Sequence, residues 1–130
     1  HIITYGTMAT KLAIKDVARV ESCQLDISNG LCKLIPDKLP DDENGKSRKM
    51  NLPNAISCIP ELQQAEASPN PLLRDTIRYA RMLEGNVRNT GVHACGVIIC
   101  RDDVSDWVPV STAEDKETGE KLRCTQYEGP

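Results

Sequence analysis

The chain has 130 residues, 39% of them hydrophobic and 27% charged, with a net charge of −3. That suits about one domain with a modest core, and the near balance of charge does not by itself advertise a nucleic acid or a membrane as partner. No stretch approaches the ~18 apolar residues of a membrane helix. "HIITYGT" lacks a secretory leader's basic and leucine-rich regions, and His1 stands where Met is expected, so the expectation is an excerpt of a longer, cytoplasmic protein.

In chain order, "IITY" (residues 2–5) reads as a short apolar strand stopped by Gly6 and Thr7. Thr7 is expected to cap a helix over Met8 to Val20, with Ala9, Ala13, Ile14, Val17 and Val20 on one face and Lys11, Lys15 and Arg19 on the other. A short helix is predicted to end near Pro36, and residues 37–54 form a polar loop expected to be mobile. "AISCIPELQQAEA" includes a helix, since Pro60 suits a first helical turn and Glu61 its N-terminal end.

The next helix is the best bracketed. Asn70 is its N-cap, Pro71 its first residue, and Gly85 lies just past its end. Leu72, Leu73, Ile77, Ala80 and Leu83 share one face, and Arg74, Arg78 and Arg81 line the opposite one. "HACGVIIC" then has the β-branched density of a buried strand, and "DWVPV" and "KLRCTQY" flank a turn-rich stretch as a hairpin would.

Charge is unevenly spread. Residues 1–20 and 74–100 each carry +2, whereas residues 21–73 and 101–130 carry −3 and −4. Two basic helices are thus masked by acidic loops, although solvated helix faces carry Lys and Arg in most proteins.

Six cysteines, at 23, 32, 58, 95, 100 and 124, invite a disulfide framework or a metal site, but no CxxC pair occurs. Free thiols are expected, with Cys95 and Cys100 buried in their strand and no metal held.

"IITYGTMATKLAIKDVARV", followed some sixty residues on by "LEGNVRNTGVHACGVII" and then by "VPV…TQYEG", resembles the middle of the C-family of bacterial replicative DNA polymerases, the DNA polymerase III alpha subunits. "YGTMATK" and "RNTGVHACG" are its specific blocks, and about two thirds of the chain is covered. Cys95 stands where the family has Gly or Ala.

The resemblance implies an α+β fold. A mainly helical thumb of about four helices spans residues 8–86, and a small sheet from the palm edge is built from 1–7 and 87–130. It also implies that the catalytic aspartates lie outside, two upstream of His1 and one downstream of Pro130. The chain alone then has no catalytic or metal-binding residue and is inert, and magnesium belongs to the full-length polymerase.

The implied partners are primer-template DNA and, through regions outside this chain, other replicase subunits, with no membrane. DNA contacts fall to Lys11, Lys15, Arg19, Arg74, Arg78, Arg81, Arg88, Asn89 and His93, because a duplex held without regard to sequence is gripped by its phosphates and sugars. Two other classes compete: a protein-interaction module whose basic ridges are solvated surface, and a Cys/His metal-binding domain.

Overall fold

The computed structural model describes residues 1–129 as an α+β chain. It divides into two units: a helical one, Met8–Asn86, and one built from His1–Thr7 with the residues from Val87 onward.

The helical unit holds five helices: α1 Thr10–Val20, α2 Leu25–Leu34, α3 Leu52–Cys58, α4 Pro60–Glu66 and α5 Pro71–Leu83. Its core gathers Ala13, Ile14 and Val17 of α1, Leu31 of α2, Leu52 and Ile56 of α3, Leu62 of α4, and Ile77 and Ala80 of α5. A fully buried Leu or Ile contributes about 1.5–3 kcal/mol, so these contacts hold five short helices that could not stand alone.

Local chemistry sets the boundaries. Asn51 caps α3, its side chain accepting from the Asn54 N–H at 2.8 Å. Pro60 opens α4 and forces the preceding Ile59 into extended backbone, so what could have been one helix becomes two. Asn70 accepts from the Leu72 N–H at 3.1 Å to start α5, and Gly85 follows its end in the left-handed region at φ 82°.

Several expectations are corrected here. Thr7 caps nothing: it belongs to a strand, and α1 starts at Thr10 after Ala9, with no side-chain cap. The start is delayed because Met8 is bound at both ends, its N–H to the Asn86 carbonyl at 2.9 Å and its carbonyl to the Gly85 N–H at 2.8 Å. The buried stripe of α1 is rotated accordingly to Thr10, Ala13, Ile14, Val17 and Ala18, leaving Ala9 and Val20 outside. On α5 the buried residues are Thr76, Ile77 and Ala80, while Leu72 and Leu83 are exposed. Residues 37–54 are not wholly loop, since α3 begins at Leu52 and Leu39 lies in the core.

The second unit carries two small antiparallel sheets. One pairs β1 Ile3–Thr7 with β2 Val87–Val92, and the other is the hairpin of β3 Val110–Glu114 with β4 Lys121–Thr125. Ile3, Ala113 and Cys124 form its core, with Tyr5, Val92 and Leu122 against them.

The predicted hairpin is present, but β3 takes Ser111–Glu114 from the expected turn, which shrinks to the stretch around Gly119 at φ 72°. The predicted strand "HACGVIIC" is absent. Residues 94–100 are irregular, Cys95 is exposed and Cys100 half-buried, and the strand lies earlier, over "VRNTGV". A β-branched run forms a strand only where neighbours pair its backbone and cover its faces, and nothing described does so here.

Candidate functional site

The β1–β2 sheet organises the junction that carries Arg88, Asn89 and His93. Ile3 faces Val92, Thr4 faces Gly91, Tyr5 faces Thr90, Gly6 faces Asn89 and Thr7 faces Val87. Side chains alternate along a strand, so Ile3, Tyr5, Thr90 and Val92 share one face and Thr4, Gly6, Asn89 and Gly91 the other. The first face packs on the core. The second is small, polar and glycine-lined.

The register shifts between Gly6 and Thr7, which makes Arg88 the extra residue of a β-bulge. A bulge re-aims the side chain it carries. Arg88, Asn89 and Thr90 are exposed on β2.

His93 lies beyond the strand end. Its backbone N–H donates to the Ile2 carbonyl at 2.9 Å, and its Nδ1 accepts from the Cys95 N–H at 3.2 Å. Gly96 packs on the imidazole, where a Cβ would come 3.0 Å from Nδ1. The ring therefore orders a turn, with Nδ1 as acceptor and Nε2 as the donor. The junction residues thus divide into a bulge arginine, an asparagine on the glycine face and a turn-ordering histidine.

A cleft of about 270 Å³ opens at the Thr4–Gly91 end of this face, lined also by His93, Asp115, Lys116 and Glu117. Two carboxylates there disfavour a phosphate.

The cationic ridges of the helical unit are largely neutralised. Lys11 pairs with Asp37 at 3.1 Å, Arg19 with Asp16 at 3.1 Å, Arg74 with Asp75 at 3.2 Å and Arg81 with Glu66 at 3.2 Å. Among the described residues, Lys15 and Arg78 are exposed and form no ion pair. Exposed pairs contribute little, typically under about 1 kcal/mol, so a phosphate can compete for the paired cations as well.

Burial pushes the Cys32 thiol above its ordinary range, against the pull of Lys15 and Lys11. In the segment "RDDVSDW", Asp102 pairs with Arg101 at 3.3 Å. Asp103 accepts from the Ser105 hydroxyl at 2.6 Å and the Ser105 N–H at 2.8 Å, and pairs with Arg123 at 3.1 Å. Those bonds hold its carboxyl at about 2. Among the described residues no group of three His, Cys, Asp or Glu side chains could hold a metal ion. Nor, among these described residues, is any helix long and apolar enough to cross a membrane.

Sequence reasoning missed Thr4 as a partner of the glycine face and Glu84 as a hub. Period-2 alternation in "TYG" and "NTG" could have revealed the first. Nothing local signals the second: Glu84 accepts from the Thr10 hydroxyl and from the Leu52 N–H at 2.8 Å, residues distant in sequence.

Residues 1–129 match the family described as the bacterial DNA polymerase III alpha NTPase domain. The chain is 40% identical over 132 residues to the DNA polymerase III subunit alpha of Chlamydia trachomatis, covering 98% of this chain and 9% of that relative. It is 37% identical over 128 residues to that of Deinococcus radiodurans, again 98% of this chain and 9% of the relative. With that of Thermus aquaticus it shares 39% over 110 residues, 85% of this chain and 8% of the relative. The chain thus spans less than a tenth of the length of these curated relatives. Matched along nearly all of its sequence, it belongs to the bacterial DNA polymerase III alpha family.

Proposed function

We propose that this chain is the part of a bacterial replicative DNA polymerase that grips primer-template duplex by its backbone beside the polymerase active site. The helical unit acts as the thumb and the β1–β2 sheet as the palm edge. The observation that carries the reading is the small, glycine-lined face of Thr4, Gly6, Asn89 and Gly91, with Arg88 on a bulge at its end.

Gly6 makes room for the Asn89 side chain, whose amide can meet a sugar-phosphate backbone, and the Arg88 guanidinium matches phosphate geometry. Lys15 and Arg78 supply further charge, and His93 holds the following turn in shape. The contacts carry no sequence information, as a replicative enzyme requires.

On this reading the magnesium of nucleotidyl transfer is held by carboxylates elsewhere in the full-length subunit. The isolated chain therefore extends no primer.

The test uses the full-length subunit, which works in the cytoplasm with other replicase subunits. Arg88→Ala lowers the slope of log affinity against log salt by about one unit and slows primer extension. Lys46→Ala, in the polar loop, changes neither. Unaltered slope and rate in Arg88→Ala overturn the reading.

A second reading, a protein-docking module, is favoured by a cleft of about 410 Å³ on the helical unit, lined by Val17, Val20, Tyr79, Met82 and Leu83. On that reading Arg88→Ala leaves duplex binding untouched.

A further inference from the structure

The β1–β2 ladder does not stop where β2 ends. Past the Ile3–Val92 pair, the Ile2 carbonyl accepts from the His93 N–H at 2.9 Å, and the Ile2 N–H donates to the Gly96 carbonyl at 3.2 Å. One residue of the first strand thus bonds to both sides of a short outward loop, Ala94 and Cys95, as at a bulge. After Gly96 the chain enters the run Val97, Ile98, Ile99 and Cys100.

That run has the composition of a buried strand and the exposure of a surface one. Val97 is 61% exposed, Ile98 42% and Ile99 95%. Alternation would place Val97 and Ile99 on one face and Ile98 and Cys100 on the other, so both faces are apolar. That pattern belongs to a strand covered on both sides within a larger sheet. Three such residues left open also invite aggregation, which natural proteins avoid by covering them.

We infer that Val97–Cys100 is a strand in the full-length subunit, paired antiparallel with the residues that lead directly into His1. The register points there: the partner of Gly96 is Ile2, so Val97 faces His1 and the partners of Ile98 to Cys100 are the residues before His1. The relatives, of which this chain spans 9%, have ample polypeptide to supply them. This inference rests on the reading of the chain as part of a polymerase subunit.

Amide hydrogen exchange of the full-length subunit, resolved by peptide, tests the pairing. The amides of Val97–Cys100 are expected to exchange about a hundredfold more slowly than those of the exposed turn at Asp42–Lys46 in the same protein. Ile98→Pro, which removes an N–H, should deprotect the flanking residues, while Ile98→Val retains the protection. Exchange of Val97–Cys100 as fast as the turn in the unmodified subunit overturns the inference. So does protection that appears there while the segment before His1 exchanges freely. Primer extension is measured separately: protection without polymerase activity keeps the strand and sinks the functional reading, and activity with fast exchange does the reverse.

Discussion

Gly6 lies directly across from Asn89, and a Cβ at Gly6 would collide with the Asn89 Oδ1. Glycine is required here by the side chain laid over it, because its φ is not in the left-handed region. The two residues are one device: Gly6 makes the trough and Asn89 occupies it.

Gly6→Ala therefore acts on Asn89 more than on the fold. The atom in the way is the tip of a flexible side chain, so the cost is that of a displaced rotamer, about 1 kcal/mol. A small drop in the denaturation midpoint is expected together with a clear loss of duplex affinity in the full-length subunit. Loss of folding without any separable binding defect would count against this division of labour.

How much of this was legible in the sequence follows from where each signal resides. Asn70, Pro71 and Gly85 announce α5 because caps and helix ends are local chemistry. Pro60 marks α4 for the same reason. The bulge at Arg88 and the pairing of Gly6 with Asn89 were not legible, since they depend on a register between segments eighty residues apart. "HACGVIIC" misled because β-propensity describes a preference that neighbours must satisfy. The cationic ridges were visible as patterns, but their acidic partners at Asp37 and Glu66 come from other elements.

Thiol reactivity should follow burial. No disulfide joins the described cysteines, so six thiols titrate in denaturant. In the folded chain Cys95 is exposed, Cys32 and Cys124 are buried, and burial pushes the Cys32 thiol up. Timed maleimide labelling read by mass spectrometry should modify Cys95 first and Cys32 and Cys124 last. Early modification of Cys32 would show that the helical core opens more readily than its packing implies.

Asp103 predicts a specific acid response. Its hydrogen bonds from Ser105, reinforced by Arg123, lower its folded value to about 2 from an ordinary 3.8. A depressed carboxylate contributes stability that is complete above the unfolded value and is lost as pH falls towards the folded one. The brace between the Val104–Asp106 turn and β4 should thus hold at pH 4 and weaken progressively towards pH 2. Carboxyl NMR should place the Asp103 midpoint near 2 and move it up in Ser105→Ala, the larger of its supports; an unmoved midpoint would reassign the cause.

Glu84 is the last residue before the left-handed turn at Gly85, and it joins three helices. Its carboxylate accepts from the Leu52 N–H through both oxygens, at 3.0 and 2.8 Å, and from the Thr10 hydroxyl. Leu52 and Thr10 are both buried, so each donor would otherwise be buried without a partner. An unsatisfied buried donor costs about 1–3 kcal/mol, and Glu84→Ala strands two at once. A loss of about 2–6 kcal/mol is therefore expected for Glu84→Ala in chemical denaturation of the helical unit's signal, scaled from that per-donor cost. Glu84→Gln keeps one acceptor oxygen and should lose only about half as much, since the remaining oxygen can serve one donor fully. Thr10→Val tests the same hub from the other side: it removes a donor with its need, so its effect should be small alone and smaller still in the Glu84→Ala background. Equal losses for Glu84→Ala and Glu84→Gln would mean that charge, and not the satisfied donors, holds α1, α3 and α5 together.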